Sequence, residues 1–435
     1  MKQVRLASTV LCIIALFTAA QSGSAQSASP SLNGNQPDSL GFSPERLGSL
    51  HAAMQREVDQ NQLAGLVTLL VRHGKVEEEK VYGKKDIASG TPMTPDTIFR
   101  IYSMTKPITG VAMMILYEQG KWQPSDPISK YIPEFAHLKV YKGVDASGNM
   151  ILEDPVHPPT MRELLTHTAG FTYGFFGDTP VDKLYRDNSP LASRSLDEFI
   201  GKIAKLPLLY QPGTKWVYSV SQDIQGYIIE KLSGQSLPEF EQQHIFGPLK
   251  MADTGFYVPK EKWTRFATLY NGDKDGNRVA VPDDGTYHAQ PGMPSGGGGL
   301  VSTAQDYRRF AQMLLNKGEL DGVRILSPAS VALMSANHLP PSLMTGEYSI
   351  ATQTIRPGLG YGYDCAVYTD PLLADDPTGK GTFFWLGAAD TWFWIDPTND
   401  LIFIGMTQRF IGPGQPDVEH LSRPIIYGAL IDPKR

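Results

Sequence analysis

The chain has 435 residues, of which 41% are hydrophobic and 19% charged, and its formal net charge is −6. This length and apolar content are enough for a large buried core, in one large domain or two lobes, and they exclude an intrinsically disordered protein. The mild negative charge gives no electrostatic reason to bind nucleic acid or an anionic membrane surface. We therefore expect neither as a partner.

Residues 1–25 have the pattern of a secretory signal peptide. Lys2 and Arg5 form a basic start, residues 6–20 form an apolar run, and small residues follow as a cleavage site. The apolar run is too short to span a bilayer, so we expect no stable membrane insertion. The sequence predicts an exported protein, periplasmic or secreted, with a flexible leader at 26–40.

The next predicted elements are a helix, a hairpin and a second helix. Ser43 is a good N-cap, and the amphipathic pattern behind it predicts a helix that ends near Asn61. Residues 66–71 and 76–82 alternate as the two strands of a β-hairpin. Residues 107–119 then predict an apolar helix.

Further along, the pattern changes twice. Residues 120–294 are punctuated by Pro and Gly between helical runs and predict a mostly helical lobe. The C-terminal part returns to strands, at 360–368, 381–386, 391–395 and 401–406, before a closing helix near Asp417. Together with the N-terminal hairpin these strands predict an antiparallel sheet flanked by helices, in an α+β lobe built from about 41–119 and 295–435.

Ser103 and Lys106 stand three residues apart at the start of the second predicted helix. At this spacing the serine hydroxyl and the lysine amine meet on one helix face. A serine hydroxyl becomes a nucleophile only when a neighbour takes its proton, and an amine withdrawn from water can do so. The alternative is a serine N-cap followed by a solvated lysine. The tetrapeptide alone leaves both interpretations open, because one or two chance matches are expected in a chain of this length.

Other common catalytic patterns are absent from the sequence. There is no GxSxG elbow and no HExxH pair, which argues against an α/β-hydrolase and a zinc hydrolase. The glycine run at 296–299 lacks the Lys-Ser/Thr ending of a phosphate loop, and instead predicts close approach of the backbone to backbone or ligand. Residues 271–277 resemble the front of a calcium loop, but Pro282 stands where a glutamate is required. We expect no metal or other cofactor.

Two features are open to more than one interpretation. His167, in the run 160–170, is either a locally hydrogen-bonded side chain, which we favour, or a catalytic group. The aromatic residues that follow it, at 171–176, belong to the core or line a pocket. Cys365, by contrast, has the setting of a small apolar residue in a strand.

Four segments in fixed order resemble the class C β-lactamase and penicillin-binding-protein superfamily, and within it the family VIII carboxylesterases. The resemblance extends from about residue 41 to 431. The segments are Ser-Met-Thr-Lys at 103–106, Leu-Leu-Thr-His-Thr-Ala-Gly at 164–170, Pro-Gly at 212–213 followed by Tyr-Ser at 218–219, and Gly-Gly-Gly-Leu-Val-Ser-Thr at 297–303.

This resemblance implies a β-lactamase/transpeptidase-like fold, in which an antiparallel sheet with helices lies beside an all-α lobe and the site lies between them. It also implies that Ser103 attacks the substrate and that Lys106 and Tyr218 share the role of general base. The backbone N–H groups of Ser103 and Ala388 would form the oxyanion hole.

The chain departs from the β-lactamase pattern at two places that bear on the substrate. The motif Tyr-x-Asn ends here in Val220, which cannot hold a substrate amide. The motif Lys-Thr-Gly reads Trp385, Leu386 and Gly387, so an indole replaces a cation that would attract a carboxylate. Because such a charge-assisted hydrogen bond contributes roughly 1.5–3 kcal/mol, we expect these residues, with Phe176, to bind an uncharged substrate.

The sequence thus predicts a serine hydrolase that cleaves small-molecule carboxylic esters through an acyl-Ser103 intermediate. A β-lactamase or D-alanyl-D-alanine carboxypeptidase that works despite the altered motifs is one alternative. An acyltransferase with the same intermediate is another, and a non-catalytic binding protein is a third. The sequence makes no prediction about the oligomeric state.

Overall fold

The computed structural model describes residues 40–272, 278–346, 348–350, 353–412 and 416–432, and these belong to one compact unit. The predicted signal peptide and almost all of the predicted leader lie outside the described residues. Among the helices within these ranges, none is both long and apolar enough to cross a bilayer.

The N-terminal segment folds as predicted. Ser43 caps the first helix by accepting a hydrogen bond from the Arg46 amide. The first strand is buried along its whole length, whereas the second carries several charged residues and forms an edge of the sheet. The elements are α1 (Pro44–Asp59), β1 (Gly65–Arg72), β2 (Lys75–Gly83), β3 (Phe99–Arg100) and α2 (Lys106–Glu118).

Short helices and two small hairpins make up the middle of the chain. Ser236 and Glu239 form a capping box, and Gly234 ends the preceding helix in the left-handed conformation. The segment that resembles the front of a calcium loop has paired flanking strands, while residues 273–277 lie outside the described residues. The elements are β4 (Val140–Val144), β5 (Met150–Glu153), α3 (Met161–Leu165), α4 (Pro180–Asn188), α5 (Leu196–Ile203), α6 (Ser221–Ser233), α7 (Leu237–Glu241), β6 (Tyr270–Gly272) and β7 (Arg278–Ala280).

The remainder of the chain returns to strands. Thr303 caps its first helix by accepting a hydrogen bond from the Asp306 amide. The elements are β8 (Val301–Ser302), α8 (Ala304–Leu315), β9 (Glu319–Leu320), β10 (Val323–Arg324), α9 (Pro328–Met334), β11 (Tyr348–Ile350), β12 (Gln353–Ile355), β13 (Leu359–Tyr361), β14 (Ala366–Tyr368), β15 (Phe383–Gly387), β16 (Thr391–Asp396), β17 (Leu401–Thr407) and α10 (Val418–Ala429).

Seven of these strands form one antiparallel sheet in the order β13-β14-β15-β16-β17-β1-β2. The N-terminal hairpin therefore extends a sheet made by the C-terminal strands, as predicted, with Leu66 opposite Thr407. Helix α8 packs on β1, β16 and β17, and α1 packs on α10 and β2. The predicted α+β class is confirmed, while the division into two lobes stays a prediction.

A glycine at the centre of the sheet makes room for a tryptophan. Gly405 on β17 lies opposite Trp392 on β16, and the indole ring covers it. A Cβ at position 405 would lie 2.1 Å from Cζ2 of Trp392. Both strands are buried along their full length, so they cannot easily separate to make room for a larger side chain at position 405.

Both ends of the described chain meet beside the sheet. Phe42 forms a β-bridge with Leu430. The buried guanidinium of Arg72 donates hydrogen bonds to the carbonyl oxygens of Leu40, at 2.6 Å, and Asp432, at 3.0 Å. One arginine of β1 thus ties both ends to the sheet.

We expect Gly405→Ala to destabilise the protein, because the added methyl group overlaps the Trp392 ring. Overpacking of this kind costs roughly 1–3 kcal/mol, which thermal denaturation would detect as a lower Tm. Gly428→Ala on α10 is the matched control, since a Cβ there meets no atom within 4 Å and alanine favours a helix. An unchanged Tm for Gly405→Ala would contradict the packing described here.

Candidate active site

Ser103 lies in a 3₁₀ turn, Tyr102–Thr105, that runs directly into α2. The sequence predicted the serine and the lysine on an α-helix. In a 3₁₀ helix, residues three apart are eclipsed, which brings their side chains still closer. The Nζ atom of Lys106 lies 3.1 Å from Oγ of Ser103, so the predicted pair is formed.

Contacts from a distant part of the chain hold this turn. The Ile101 amide donates to the carbonyl oxygen of Leu300 at 3.1 Å, and the Leu300 amide donates to Oγ1 of Thr105 at 3.2 Å. Tyr102, next to the nucleophile, has a φ of 41°. Such a conformation is costly for a bulky residue and persists only where neighbouring contacts impose it. The positive φ of Tyr102 could not be predicted from the sequence, because tyrosine gives no local signal for this conformation.

Lys106 is fully buried, and its amine has a defined environment. Nζ donates a 2.6 Å hydrogen bond to the carbonyl oxygen of Gly297 in addition to its contact with Ser103. The same atom lies 4.5 Å from the ring centroid of Tyr218 and 5.3 Å from that of Tyr173. These contacts rule out the alternative of a solvated surface lysine.

The glycine run makes this environment possible. A Cβ at Gly296 would lie 2.5 Å from the carbonyl oxygen of Gln222. At Gly297 it would lie 2.7 Å from the Tyr173 hydroxyl and 2.8 Å from Oδ2 of Asp223. Only glycine lets this backbone reach the lysine, which confirms the prediction of close approach.

The ring of Tyr218 packs against Lys106 and is only 8% exposed. Its phenol oxygen accepts a hydrogen bond from Nε1 of Trp385 at 3.3 Å. Trp385 is itself 2% exposed. The indole at the position of the β-lactamase lysine thus contacts the predicted base, rather than offering its face to solvent.

His167 supports the segment that carries Tyr218. Its Nδ1 lies 3.0 Å from Oγ of Ser219, and its Nε2 lies 3.1 Å from the side-chain nitrogen of Gln222. Because an amide nitrogen only donates, Nε2 must accept and Nδ1 must carry the hydrogen. Burial, with the nearby charge of Lys106, holds the pKa of His167 well below its ordinary value. His167 is thus a hydrogen-bonded side chain, as favoured, but its partners lie 52 and 55 residues further along the chain rather than nearby in sequence.

A buried carboxyl group continues this network. Gln222 and Gln225 both donate to Oδ1 of Asp364, at 2.6 and 3.0 Å. Burial raises the pKa of Asp364 to about 7, while hydrogen bonds and the charge of Lys106 act in the opposite direction. Asp364 has a φ of 61° and is fully buried. The sequence indicates neither property, because it shows only a short polar residue before Cys365.

A second buried carboxyl group, that of Asp223, contacts the glycine run that binds the amine. Oδ1 of Asp223 accepts hydrogen bonds from Oγ of Ser295 at 2.5 Å and from the Gly297 amide at 3.2 Å. Burial raises the pKa of Asp223, and Lys106 partly offsets this rise. The residue whose carbonyl group binds the lysine is therefore itself fixed by an aspartate.

Tyr173 is a further residue whose place at the site sequence analysis left open. It is 8% exposed, and its ring lies 5.3 Å from that of Tyr218. Burial raises the pKa of Tyr173 well above its ordinary value. Tyr173 therefore stays a neutral phenol at ordinary pH.

The end of β15 lies against the turn of the nucleophile. A Cβ at Gly387 would lie 2.2 Å from the carbonyl oxygen of Ile101, two residues before Ser103. The hydroxyl of Thr391 donates to the same carbonyl oxygen at 3.3 Å. Ala388 follows directly and is exposed. Its role in an oxyanion hole stays a prediction.

The structure places the other predicted substrate residues in different surroundings. Val220 is fully buried at the N-cap of α6. Leu386 lines a separate cavity of about 70 Å³ with Trp392, because neighbouring strand residues point to opposite faces. Phe176 is 60% exposed, and its ring lies 5.8 Å from that of Tyr218. Among the predicted side chains, Phe176 has the largest surface open to a ligand.

One group of possible metal ligands occurs in the described part of the chain, at the start of α10. Ligand atoms of Asp417, Glu419 and His420 lie within 4.8 Å of one another. Glu419 forms an ion pair with the buried Arg423, and His420 forms one with Asp417. These ion pairs explain the cluster, and we assign it no ion.

The family model described as Beta-lactamase matches residues 50–423. Protein Rv1367c of Mycobacterium tuberculosis is 37% identical over 366 residues, which cover 82% of this chain and 89% of that protein. Esterase EstB of Burkholderia gladioli is 29% identical over 365 residues, which cover 79% of this chain and 86% of the esterase.

A solved structure shows the same fold. The structure described as "EstCE1, a hydrolase with promiscuous acyltransferase activity" superposes with a TM-score of 0.72 and 27% identity. The match covers 89% of this chain and 99% of that one. With the family match, it confirms the β-lactamase/transpeptidase-like fold and the resemblance found from the sequence motifs.

We expect Asp364→Asn to change how stability depends on pH. The raised pKa means that the folded protein holds this proton more tightly than the unfolded chain, where aspartate titrates near about pH 4. The stabilising contribution of Asp364 is therefore complete below about pH 4 and is lost as the pH rises through about 7. Asparagine cannot ionise. The stability of the variant relative to the parent should rise between these limits, by at most about 1.4 kcal/mol per pH unit.

Denaturant unfolding of both proteins across this pH range measures the effect, and the difference between them removes the contributions of other groups such as His167. Glu261→Gln, which removes one exposed carboxyl group, is the matched control for the loss of a negative charge. A flat difference for Asp364→Asn would contradict the assigned protonation.

Proposed function

Because the chain belongs to the Beta-lactamase family, we propose that it is an exported serine hydrolase that cleaves neutral carboxylic esters through an acyl-Ser103 intermediate. One observation carries this proposal, namely the buried amine of Lys106 at 3.1 Å from Oγ of Ser103. Export rests on the signal-peptide pattern of residues 1–25, and N-terminal sequencing of the mature protein tests it.

In the first half of the reaction, Oγ of Ser103 adds to the ester carbonyl. The proton of the hydroxyl group passes to the Lys106 and Tyr218 pair. The carbon–oxygen bond to the alcohol then breaks, and the pair gives the proton to the departing oxygen. The Ser103 and Ala388 amides are proposed to stabilise the negative charge on the carbonyl oxygen.

In the second half, water takes the place of the alcohol. The same pair removes a proton from the water as its oxygen attacks the acyl carbon, and the proton returns to Ser103 when the acid leaves. The hydrogen bond to the Gly297 carbonyl group and the ring of Tyr218 keep the amine in position for both halves.

The substrate preference follows from the position where β-lactamases carry a lysine. Trp385 supplies a neutral N–H group there, directed at the phenol oxygen of Tyr218. An indole cannot attract the carboxylate of a penicillin or of a D-alanyl peptide. The similarity to a protein named as an esterase supports the same preference.

Acyl transfer to an alcohol is a second candidate activity. It needs the same acyl-Ser103 group, with an alcohol instead of water in the second half. EstCE1 is described as a hydrolase with promiscuous acyltransferase activity, and its similarity to this chain favours the candidate. Added alcohol acceptors would reveal acyl transfer here as new ester product.

We expect Ser103→Ala to lose ester hydrolysis by roughly 10⁴-fold or more, since no other group in the mechanism can carry the acyl group. The variant should also lose labelling by a fluorophosphonate probe, followed on a gel. The Tm should hardly change, because Ser103 is only partly buried. Undiminished labelling of the variant would rule out Ser103 as the nucleophile.

The ester preference is tested by comparing nitrocefin with p-nitrophenyl butyrate. The absence of the motif lysine should make kcat/KM for the ester higher than for the lactam, by about tenfold or more. Rapid nitrocefin turnover beside negligible ester turnover would favour the β-lactamase alternative instead.

We expect Tyr218→Phe to keep the ring contacts but remove the proton carrier. General acid–base catalysis contributes about 10²–10⁴-fold, so kcat/KM for p-nitrophenyl butyrate should fall by a factor in this range, with little change in Tm. Tyr141→Phe, in the hairpin of β4 and β5, is the matched control and should retain full activity. A fully active Tyr218→Phe variant would leave Lys106 as the sole base.

A further inference from the structure

A cleft of about 440 Å³ opens beside Tyr218. This volume lies within the range of small-molecule sites, roughly 300–1,000 Å³. Most of its apolar lining is aromatic or branched, and Tyr218 is the point where it reaches the catalytic groups. The lining includes Phe176, Leu209, Tyr210, Trp216, Val217 and Tyr218.

Two adjoining phenylalanine rings, Phe176 in the lining of the cleft and Phe175 next to it in sequence, are exposed to solvent. Phe175 is 62% exposed and Phe176 is 60% exposed. The Phe175 ring stacks on Tyr173 at 5.7 Å, and the Phe176 ring lies 5.8 Å from Tyr218. Exposed adjoining aromatic rings at a cleft are a common mark of a ligand-binding surface. Tyr210, which also lines the cleft, is 37% exposed.

The loop that carries these rings is held from behind by one arginine of α4. Nη1 of Arg186 donates to the carbonyl oxygens of Gly174, at 2.6 Å, and Gly177, at 2.9 Å. Nη2 donates to Oδ1 of Asp178 at 2.7 Å. Because the backbone on both sides of the rings is fixed, the loop needs little ordering when a ligand binds.

The carboxyl group in the cleft is already occupied by neighbouring protein groups. Oδ1 of Asp182 accepts a 2.8 Å hydrogen bond from the Thr172 hydroxyl. Oδ2 accepts from the amide and the hydroxyl of Thr179, at 3.1 and 2.8 Å. Asp182 is 1% exposed, so it cannot serve as the partner of a cationic ligand. The apolar part of the surface offered to a ligand is mainly aromatic, and Lys215 also lines the cleft.

The position of Tyr218 decides which half of the ester this cleft receives. In the proposed reaction the Lys106 and Tyr218 pair gives a proton to the departing alcohol oxygen. That oxygen must therefore lie within hydrogen-bonding reach of the pair. The ring centroid of Tyr218 lies 4.5 Å from the amine, and Tyr218 is also part of the lining of the cleft. A group attached to the alcohol oxygen thus extends towards Phe176 and Tyr210.

We propose that this cleft binds the alcohol half of the substrate and selects a ring-bearing alcohol. This inference rests on the proposed function. The same cleft receives an acceptor alcohol in acyl transfer. There the acyl–Oγ bond breaks as the new ester bond forms, and the proton of the acceptor hydroxyl passes through the Lys106 and Tyr218 pair to Ser103.

Three esters test the assignment, because they carry a naphthyl ring on the alcohol, on the acyl group or on neither. The ester 2-naphthylmethyl butyrate carries it on the alcohol, ethyl 2-naphthylacetate carries it on the acyl group, and ethyl butyrate has none. We expect Phe176→Ala and Tyr210→Ala to lower kcat/KM for 2-naphthylmethyl butyrate, relative to ethyl butyrate, by roughly tenfold, the effect of removing one buried aromatic contact. The ratio for ethyl 2-naphthylacetate to ethyl butyrate should hold within about twofold.

Tyr257→Ala is the matched control, because Tyr257 is an equally exposed tyrosine, at 38%, that lines a different cavity. It should leave both ratios unchanged. If the two cleft variants lower the ratio for ethyl 2-naphthylacetate instead, or lower neither ratio, the alcohol assignment is overturned while the esterase proposal stands.

A direct binding measurement separates failure of the two proposals. If the parent hydrolyses none of the esters, the proposed function fails, and the cleft is judged by fluorescence titration of Ser103→Ala with 2-naphthalenemethanol. Saturable binding that weakens about tenfold in the Ser103→Ala, Tyr210→Ala double variant supports the cleft as an alcohol site. Absence of saturable binding, or binding that the second substitution leaves unaltered, overturns it.

Discussion

The hydrogen bond between Oγ of Ser103 and Nζ of Lys106 is the interaction on which the rest of the site depends. It requires a long cationic side chain to be wholly enclosed, which is favourable only when polar partners surround the amine. The fold supplies them from segments far apart in the chain, namely the Gly297 carbonyl group and the ring of Tyr218. The glycine run and the tight turn are therefore best understood as conditions for enclosing this amine.

The enclosed amine also explains why acidic groups are buried around it. Asp223 and Asp364 both interact with the charge of Lys106, and burial raises the pKa of each. Because the pKa of Asp364 is raised to about 7, the local charge can change without any movement of the backbone. Through Gln222 and His167 this polar network reaches the segment that carries Tyr218. The surroundings of the two proposed bases are thus joined by buried polar groups.

The parts of the fold that follow from local periodicity could be predicted from the sequence. Helix α1, the N-terminal hairpin and the strands around Trp385 each show the hydrophobic periodicity of their secondary structure in the sequence. The 3₁₀ turn at Ser103 could not be predicted, because its contact with Leu300 lies far along the chain. The opposite directions of Trp385 and Leu386 followed from strand alternation and could have been foreseen. Asp364 could not, since its partners are known only once the chain is folded.

Because Leu40 and Asp432 meet at Arg72, the order of the elements in the chain could be changed by circular permutation. Residues 40 and 432 share one arginine as their hydrogen-bond donor, so a short linker could join them without spanning the molecule. New ends could then be opened at a surface turn such as the one that exposes Leu372. The catalytic groups all come from between the old ends, and a circularly permuted chain would retain every one of them.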